Sequence, residues 1–203
     1  MSEGERIGVL GGTFDPVHNA HLAIAHAALR EARLDRVLLV VAARPPHKEK
    51  GSHASAADRF AMAQAAAADE PGVEASRLEL DRAGPSYTAD TLRELAQAHP
   101  GARLFLIVGQ DSLTDLPGWR ESEAILDMAR ILAAPRAGEP DPPPAVAGKF
   151  DMLSLAATPI SSTEVRGRIA RGEDVGDLVP PRVAALIHER GIYNARVPNS
   201  PRQ

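Results

Sequence analysis

The chain has 203 residues, enough to bury a sizeable core in one domain of ordinary to large size. With 23 Lys and Arg against 27 Asp and Glu the formal charge is −4, a poor match to general nucleic-acid binding, although locally clustered cations leave room for anionic ligands. The lack of cysteine excludes disulfides and thiolate zinc sites and fits a reducing cytoplasm; MSEGERIGVLGG has no secretory-signal pattern, and VLLVVAA is far too short to span a membrane.

Along the chain, strand and helix patterns alternate. RIGVL (6–10) predicts a strand and AHLAIAHAALREARL (20–34) a helix. RVLLVVAA (36–43) is apolar throughout, as in a strand covered on both faces. Pro and Gly punctuate 44–58, which reads as a loop. A helix is expected over 57–69, a strand over 73–80, and a helix within 86–100 that ends near its proline. RLFLIVG (103–109) is a second buried-type strand, followed by a helix over 120–129 and a short strand over 130–135. The Pro-rich stretch 136–150 reads as an exposed loop within one domain, 1–195, because too little chain follows it to build a second core. A last strand (151–156), helices near 161–171 and 180–190, and a disordered tail (196–203) complete the expectation. Such alternation implies an α/β fold: a mostly parallel, Rossmann-like sheet with helices on both faces and a small helical C-terminal part.

The stretch GGTFDPVHNAHL (11–22) joins the first strand to the first helix. In parallel α/β sheets, ligands bind beyond the carboxyl ends of the strands, and a glycine-rich turn opening a helix offers free N–H groups to an anion. Gly11, Gly12 and Thr13 fit that role, though a tight turn that merely needs glycine fits them too. His18 and His21 are three residues apart and share one helix face. Each can donate to a phosphate oxygen and carry charge near neutral pH. A metal site, as in a hydrolase, is the competing reading, but no HExxH helix and no third ligand are evident, so no protein-held metal is expected. Near the other end, Ser161, Ser162 and Thr163 of ISSTEVRGRI read as helix-capping residues. Capping does not require Arg166, and an arginine one turn inside an anion-favouring helix end suggests triphosphate binding.

GGTFDPVHNAHL resembles the nucleotidylyltransferase signature Gly-x-Phe-x-Pro-x-His-x-Gly-His, here Gly12, Phe14, Pro16, His18 and His21, with Ala20 where the family usually has glycine. ISSTEVR resembles the Ile-Ser-Ser-Thr-x-Ile-Arg motif of the bacterial nicotinate-nucleotide adenylyltransferases. Three further stretches match that family in order. PPHK (45–48) resembles its substrate-phosphate loop, with His47 and Lys48 as contacts. PSYTADTL (85–92) resembles the loop whose amides meet the pyridine carboxylate, at Tyr87 and Thr88. GQDSLTDLPGW (109–119) resembles the loop that begins at Gly109, offers Asp111 to the nucleotide ribose and stacks Trp119 on the pyridine. Arg136 matches an arginine-bearing turn, although Arg-Pro-Gly reads RAG here.

The resemblance covers about residues 6–194. It implies ATP and nicotinate mononucleotide as substrates, deamido-NAD and pyrophosphate as products, and Mg²⁺ carried by the ATP phosphates. His18, His21 and Arg166 would act on the phosphates. Gly11, Gly12, Thr13, Phe14, Gly109, Asp111, Ser161, Ser162 and Thr163 would hold ATP. His47, Lys48, Tyr87, Thr88, Trp119 and Arg136 would hold the acceptor. A homo-oligomer is compatible with the family. A pantetheine-phosphate adenylyltransferase or a non-catalytic nucleotide sensor are the alternatives; SYTADTL and ISSTEVR speak against the first, and the retained histidines and Arg166 against the second.

Overall fold

The computed structural model describes residues 4–43, 52–136 and 148–194. His47, Lys48, most of the Pro-rich stretch and the tail 196–203 lie outside them. The strands are β1 (Arg6–Gly12), β2 (Arg36–Val41), β3 (Val73–Ser76), β4 (Arg103–Gly109), β5 (Ala129–Ala134) and β6 (Phe150–Met152). They form one sheet in the order β3-β2-β1-β4-β5-β6, every pair parallel. The helices are α1 (Asn19–Glu31), α2 (Ala56–Ala67), α3 (Thr88–Ala98), α4 (Gln110–Asp115), α5 (Ser122–Met128), α6 (Ser162–Ala170) and α7 (Pro181–Arg190).

Side-chain alternation splits the core in two. Val37, Leu39 and Val41 of β2 join Phe105 and Ile107 of β4 and the buried faces of α1, α2, α6 and α7. Their neighbours Leu38 and Val40 point the other way, into a layer with Leu104, Leu106 and Val108 that α3, α4 and α5 cover. This is why the central strands are apolar at every position: both faces are buried. Gly8 of β1 lies where one layer is tightest. A Cβ there would stand 2.8 Å from Leu34 Cδ1, 2.9 Å from Val37 Cγ2 and 3.1 Å from Ile107 Cδ1.

The alternating elements appear in the expected order, with three differences. The last strand, expected over 151–156, is β6 at Phe150–Met152, an edge strand that pairs with β5 only over Ile131–Ala133. The strand expected over 73–80 stops at Ser76, because β3 is an edge strand paired only with β2, which ends at Val41. Residues 77–81 instead close a turn, Leu80 and Asp81 N–H both donating to Arg77 O at 2.7 and 3.0 Å. The stretch after β4, expected as loop, forms α4 and a 3₁₀ turn at Leu116–Gly118 that bury Leu113 and Leu116.

Filling the gap at Gly8 should overpack the core. Gly8→Ala is expected to lower unfolding free energy by about 1–3 kcal/mol, read from urea denaturation; an unchanged midpoint would mean the layer is looser than its geometry implies.

Candidate active site

The sheet order reverses between β1 and β4, since β1 leads outward to β2 and β3 while β4 leads the opposite way to β5 and β6. Parallel sheets open a crevice at such a point, beyond the carboxyl ends of the strands. Here it is a cleft of about 1040 Å³ that includes Gly11, Gly12, Thr13, His18, His21, Gly109, Asp111, Arg136, Ser161, Ser162, Tyr87, Thr88 and Trp119. Residues from opposite ends of the sequence thus share one cavity. Phe14, Thr163 and Arg166 are not among its lining residues: Phe14 is buried beneath it, while Thr163 and Arg166 lie in the first turns of α6 beside Ser162.

Gly11 and Gly12 do different work. A Cβ at Gly11 would meet nothing within 4 Å, so no neighbouring protein atom demands glycine there. A Cβ at Gly12 would come within 3.0 Å of the Phe14 ring. Phe14 itself is 2% exposed, adopts a left-handed backbone (φ +50°), and meets the His21 ring edge-on at 5.0 Å. The structure therefore makes Phe14 a support beneath the histidine rather than a surface for ATP.

His18 is the N-cap of α1. Its N–H donates to His21 Nδ1 at 3.1 Å, and the two rings stack with centroids 3.7 Å apart and planes 21° apart. A ring nitrogen that accepts carries no proton, so neutral His21 presents its proton on Nε2. His18 Nδ1 is buried without a partner among the described residues. Burial lowers the pKa of His18 from 6.5 to about 4. Burial, then the His18 charge, pushes His21 well below its ordinary value. Both rings are therefore neutral at pH 7, not charged as the sequence reading allowed. Among the described residues no three His, Asp or Glu side chains gather where a metal could be held.

Between β1 and α1, the carbonyls of Thr13, Asp15 and Pro16 are taken up by distant side chains. Arg59, 2% exposed, donates to Thr13 O at 2.8 Å and to Ala42 O at 2.7 Å, joining the ends of β1 and β2. Arg166 donates to Asp15 O at 2.7 Å and Ser162 Oγ to Pro16 O at 2.9 Å, across 151 and 146 residues. The first motif and the hydroxyl-arginine motif are bolted together. Of their hydroxyls, Ser162 donates to Pro16 O, whereas Thr163 Oγ1 accepts from Arg166 at 3.2 Å and Ser161 Oγ accepts the Glu164 N–H, so these two keep an O–H to donate. What α6 still offers an anion is the first-turn N–H of Ser162 and Thr163, which have no acceptor among the described residues, the Ser161 and Thr163 O–H groups, and the guanidinium donors Arg166 has not used.

At the β4–β5 side, Asp111 and Arg136 pair at 2.7 Å, so two residues expected to meet separate ligands hold each other. The Tyr87–Thr88 end is the N-terminus of α3, where Thr88 and Ala89 N–H have no acceptor among the described residues. The Trp119 backbone N–H donates to Leu116 O at 3.0 Å and closes the 3₁₀ turn. The Arg120 guanidinium lies over the Tyr87 ring at 4.5 Å. Asp90, an acidic neighbour of this end in sequence, is turned to Arg93 at 2.9 Å. Sequence reasoning missed Glu79, a buried carboxylate in the cleft wall that accepts the Thr91 hydroxyl at 2.6 Å. It missed Arg59 and Asp15 as well; only the place of Asp15 inside the first motif pointed to it.

Comparison with known proteins agrees with this geometry. Residues 9–168 match the cytidylyltransferase-like family model. A protein of Gloeobacter violaceus named "Probable nicotinate-nucleotide adenylyltransferase" is 42% identical over 94% of this chain and 97% of its own length. One of Thermus thermophilus with the same name is 44% identical over 93% and 99%. Among solved structures, Plasmodium falciparum nicotinic acid mononucleotide adenylyltransferase complexed with NaAD superposes with a TM-score of 0.74 at 20% identity, over 93% of this chain and 97% of that one, which speaks for the fold. The chain belongs to the nicotinate-nucleotide adenylyltransferase family, within the cytidylyltransferase-like nucleotidyltransferases.

Proposed function

We propose that this protein transfers the adenylyl group of ATP to nicotinate mononucleotide, giving deamido-NAD and pyrophosphate. The observation that carries the reading is the single cleft in which the Gly11–His21 turn and the α6 N-terminus stand with the α3 N-terminus and Trp119. The first pair suits a polyphosphate; the second suits a flat ring bearing an acid.

The chemistry needs no protein nucleophile. An oxygen of the mononucleotide's phosphate forms a bond to the α-phosphorus of ATP, and the bond from that phosphorus to the bridging oxygen of pyrophosphate breaks. The protein's part is to align the two phosphates and to stabilise charge spreading over the phosphoryl oxygens. His18 and His21 serve as neutral N–H donors, with His21 Nε2–H oriented by its bond to the His18 backbone. The α6 N–H groups and the remaining Arg166 donors face the charge of the leaving pyrophosphate. The donor set fits Mg²⁺ brought in on the ATP phosphates rather than held by the protein, since the cleft's Asp111 is already paired with Arg136. Bound there, the ion would offset phosphate charge. The Asp111 carboxylate would face the ATP ribose; His47 and Lys48 would meet the acceptor phosphate.

His18→Ala and His21→Ala should each lower kcat by about two to three orders of magnitude, the scale of losing one transition-state donor. Steady-state pyrophosphate release checks this, and near-parental turnover in both variants would remove the histidines from the mechanism.

The depressed pKa of His18 also fixes a pH dependence. Below pH 6.5 the unfolded chain takes up a proton that the folded chain refuses until about pH 4. The contribution to stability is therefore complete above pH 6.5 and lost as pH falls toward 4, by about 3 kcal/mol for this one group. Urea midpoints at pH 7 and pH 5 should differ more for the parent than for His18→Phe; equal differences would contradict the burial argument.

Acceptor choice follows from the α3 end. Its free N–H groups and the nearby Arg120 only donate, and a carboxylate only accepts. An amide would turn its own NH₂ toward a donor. The ratio of kcat/KM for nicotinate over nicotinamide mononucleotide should be at least ~100, and mismatches of this kind reach roughly 10⁴ when buried. A ratio near one, or below, would overturn the pocket assignment.

A further inference from the structure

Asp15 is 3% exposed and takes no part in the mechanism above, yet its carboxylate is fully engaged. Oδ1 accepts Ala54 N–H at 3.0 Å and the Tyr193 hydroxyl at 2.7 Å. Oδ2 accepts His53 N–H at 2.8 Å and the His53 ring at 3.3 Å. Its own backbone carbonyl is the one Arg166 grips. Burial alone would raise the Asp15 pKa, but the His53 N–H, the Tyr193 hydroxyl and the Ala54 N–H outweigh it and hold the group ionised.

Tyr193 reaches Asp15 from the last turn of the described chain, 178 residues away. Helix α7 ends at Gly191 in a left-handed conformation, and Tyr193 itself sits at φ +66°. A bulky side chain rarely adopts that backbone, and it does so where surrounding contacts over-determine it. Burial, then the bond to Asp15, raises the Tyr193 pKa, so the hydroxyl keeps its proton and remains a donor. Its partner stands two residues from Thr13 and three from His18, in the same turn whose carbonyls meet Arg59, Arg166 and Ser162.

We infer that Tyr193 is a positioning residue for the adenylyl-transfer site: through the Asp15 carboxylate, its hydroxyl fixes the 13–18 turn, and with it His18 and Arg166, in the geometry that receives the triphosphate. The inference rests on the proposed adenylyl transfer and adds to it a part for the C-terminal turn. It also separates the two ends of the cleft. The α3 N-terminus and Trp119, where the pyridine ring would sit, share no hydrogen bond with Asp15 or Tyr193, so recognition of the ring should not feel the loss.

Tyr193→Phe keeps the ring and removes only the donor. At 25 °C, kcat is expected to fall about 5–20-fold and KM for ATP to rise severalfold, with KM for nicotinate mononucleotide within twofold of the parent. The melting temperature should drop by only about 2–6 °C, the scale of one buried hydrogen bond. Asp15→Asn, which opposes an NH₂ to the His53 or Ala54 N–H, should show the same split more strongly, and adding Tyr193→Phe to it should cost little more. Calorimetry with adenosine 5′-(α,β-methylene)triphosphate gives a readout independent of turnover, with affinity expected to weaken about fivefold in Tyr193→Phe. Kinetic constants and analogue affinity all within twofold of the parent would overturn the inference, as would equal losses toward both substrates. A parent protein that binds the analogue but makes no product from nicotinate mononucleotide would count against the adenylyl-transfer reading instead, and the calorimetric comparison would still judge Tyr193.

Discussion

The structure depends on how one short turn is held. Residues 13–18 leave β1 at the centre of the sheet and must present His18 to the cleft, and a loop in that position carries carbonyls that helix and sheet do not satisfy. Buried carbonyls without donors are costly, on the order of 1–3 kcal/mol each. The chain meets them with charged and hydroxyl donors from far away: Arg59 on Thr13, Arg166 on Asp15, Ser162 on Pro16. The same bonds that satisfy the backbone bring α2 and α6 against the motif. Folding the sheet and assembling the site are, at this turn, one event.

That arrangement gives the histidines their character. His18 and His21 are stacked with centroids 3.7 Å apart, His21 edge-on to Phe14 and His18 buried, and among the described residues no carboxylate bonds to either ring. They are neutral donors in fixed orientations, which suits a reaction in which charge spreads over phosphoryl oxygens and no proton need be moved by the protein. The remaining electropositive character of the cleft comes from helix N-termini and from guanidinium groups partly spent on structure. A site built so is stiff, because its ligand groups have second partners within the fold.

Much of this was legible in the sequence, and the reasons are local. The apolar run VLLVV could only be a strand buried on both faces, and GGTFDPVHNAHL placed glycines and histidines at a strand-to-helix turn where a ligand would sit. The strand over 73–80 was overextended because Leu78 and Leu80 alternate with Glu79 like strand residues, yet they are out of phase with Val73 and Ala75 and no neighbouring strand pairs beyond Ser76. Helix α4 was missed because six residues ending near a proline give too short a pattern. Charge on the histidines was misjudged because burial is a property of the fold. Arg59 and Tyr193 carried no local signal: Arg59 acts through bonds to Thr13 and Ala42 and Tyr193 through its bond to Asp15, all distant in the chain. Ser162 and Thr163 were recognised as hydroxyl donors, but that Ser162 donates to Pro16 O while Thr163 accepts from Arg166 could not be read from spacing.

With its carbonyls already bonded to Arg59, Arg166 and Ser162, the 13–18 turn is set before nucleotide arrives. Crystal structures of the protein alone and with adenosine 5′-(α,β-methylene)triphosphate test it most directly. The account predicts Cα shifts of about 1 Å or less across the turn, with the Arg166–Asp15 and Ser162–Pro16 bonds present in both. A turn displaced by more than about 2 Å, with Arg166 released from Asp15 to follow the phosphates, would contradict it.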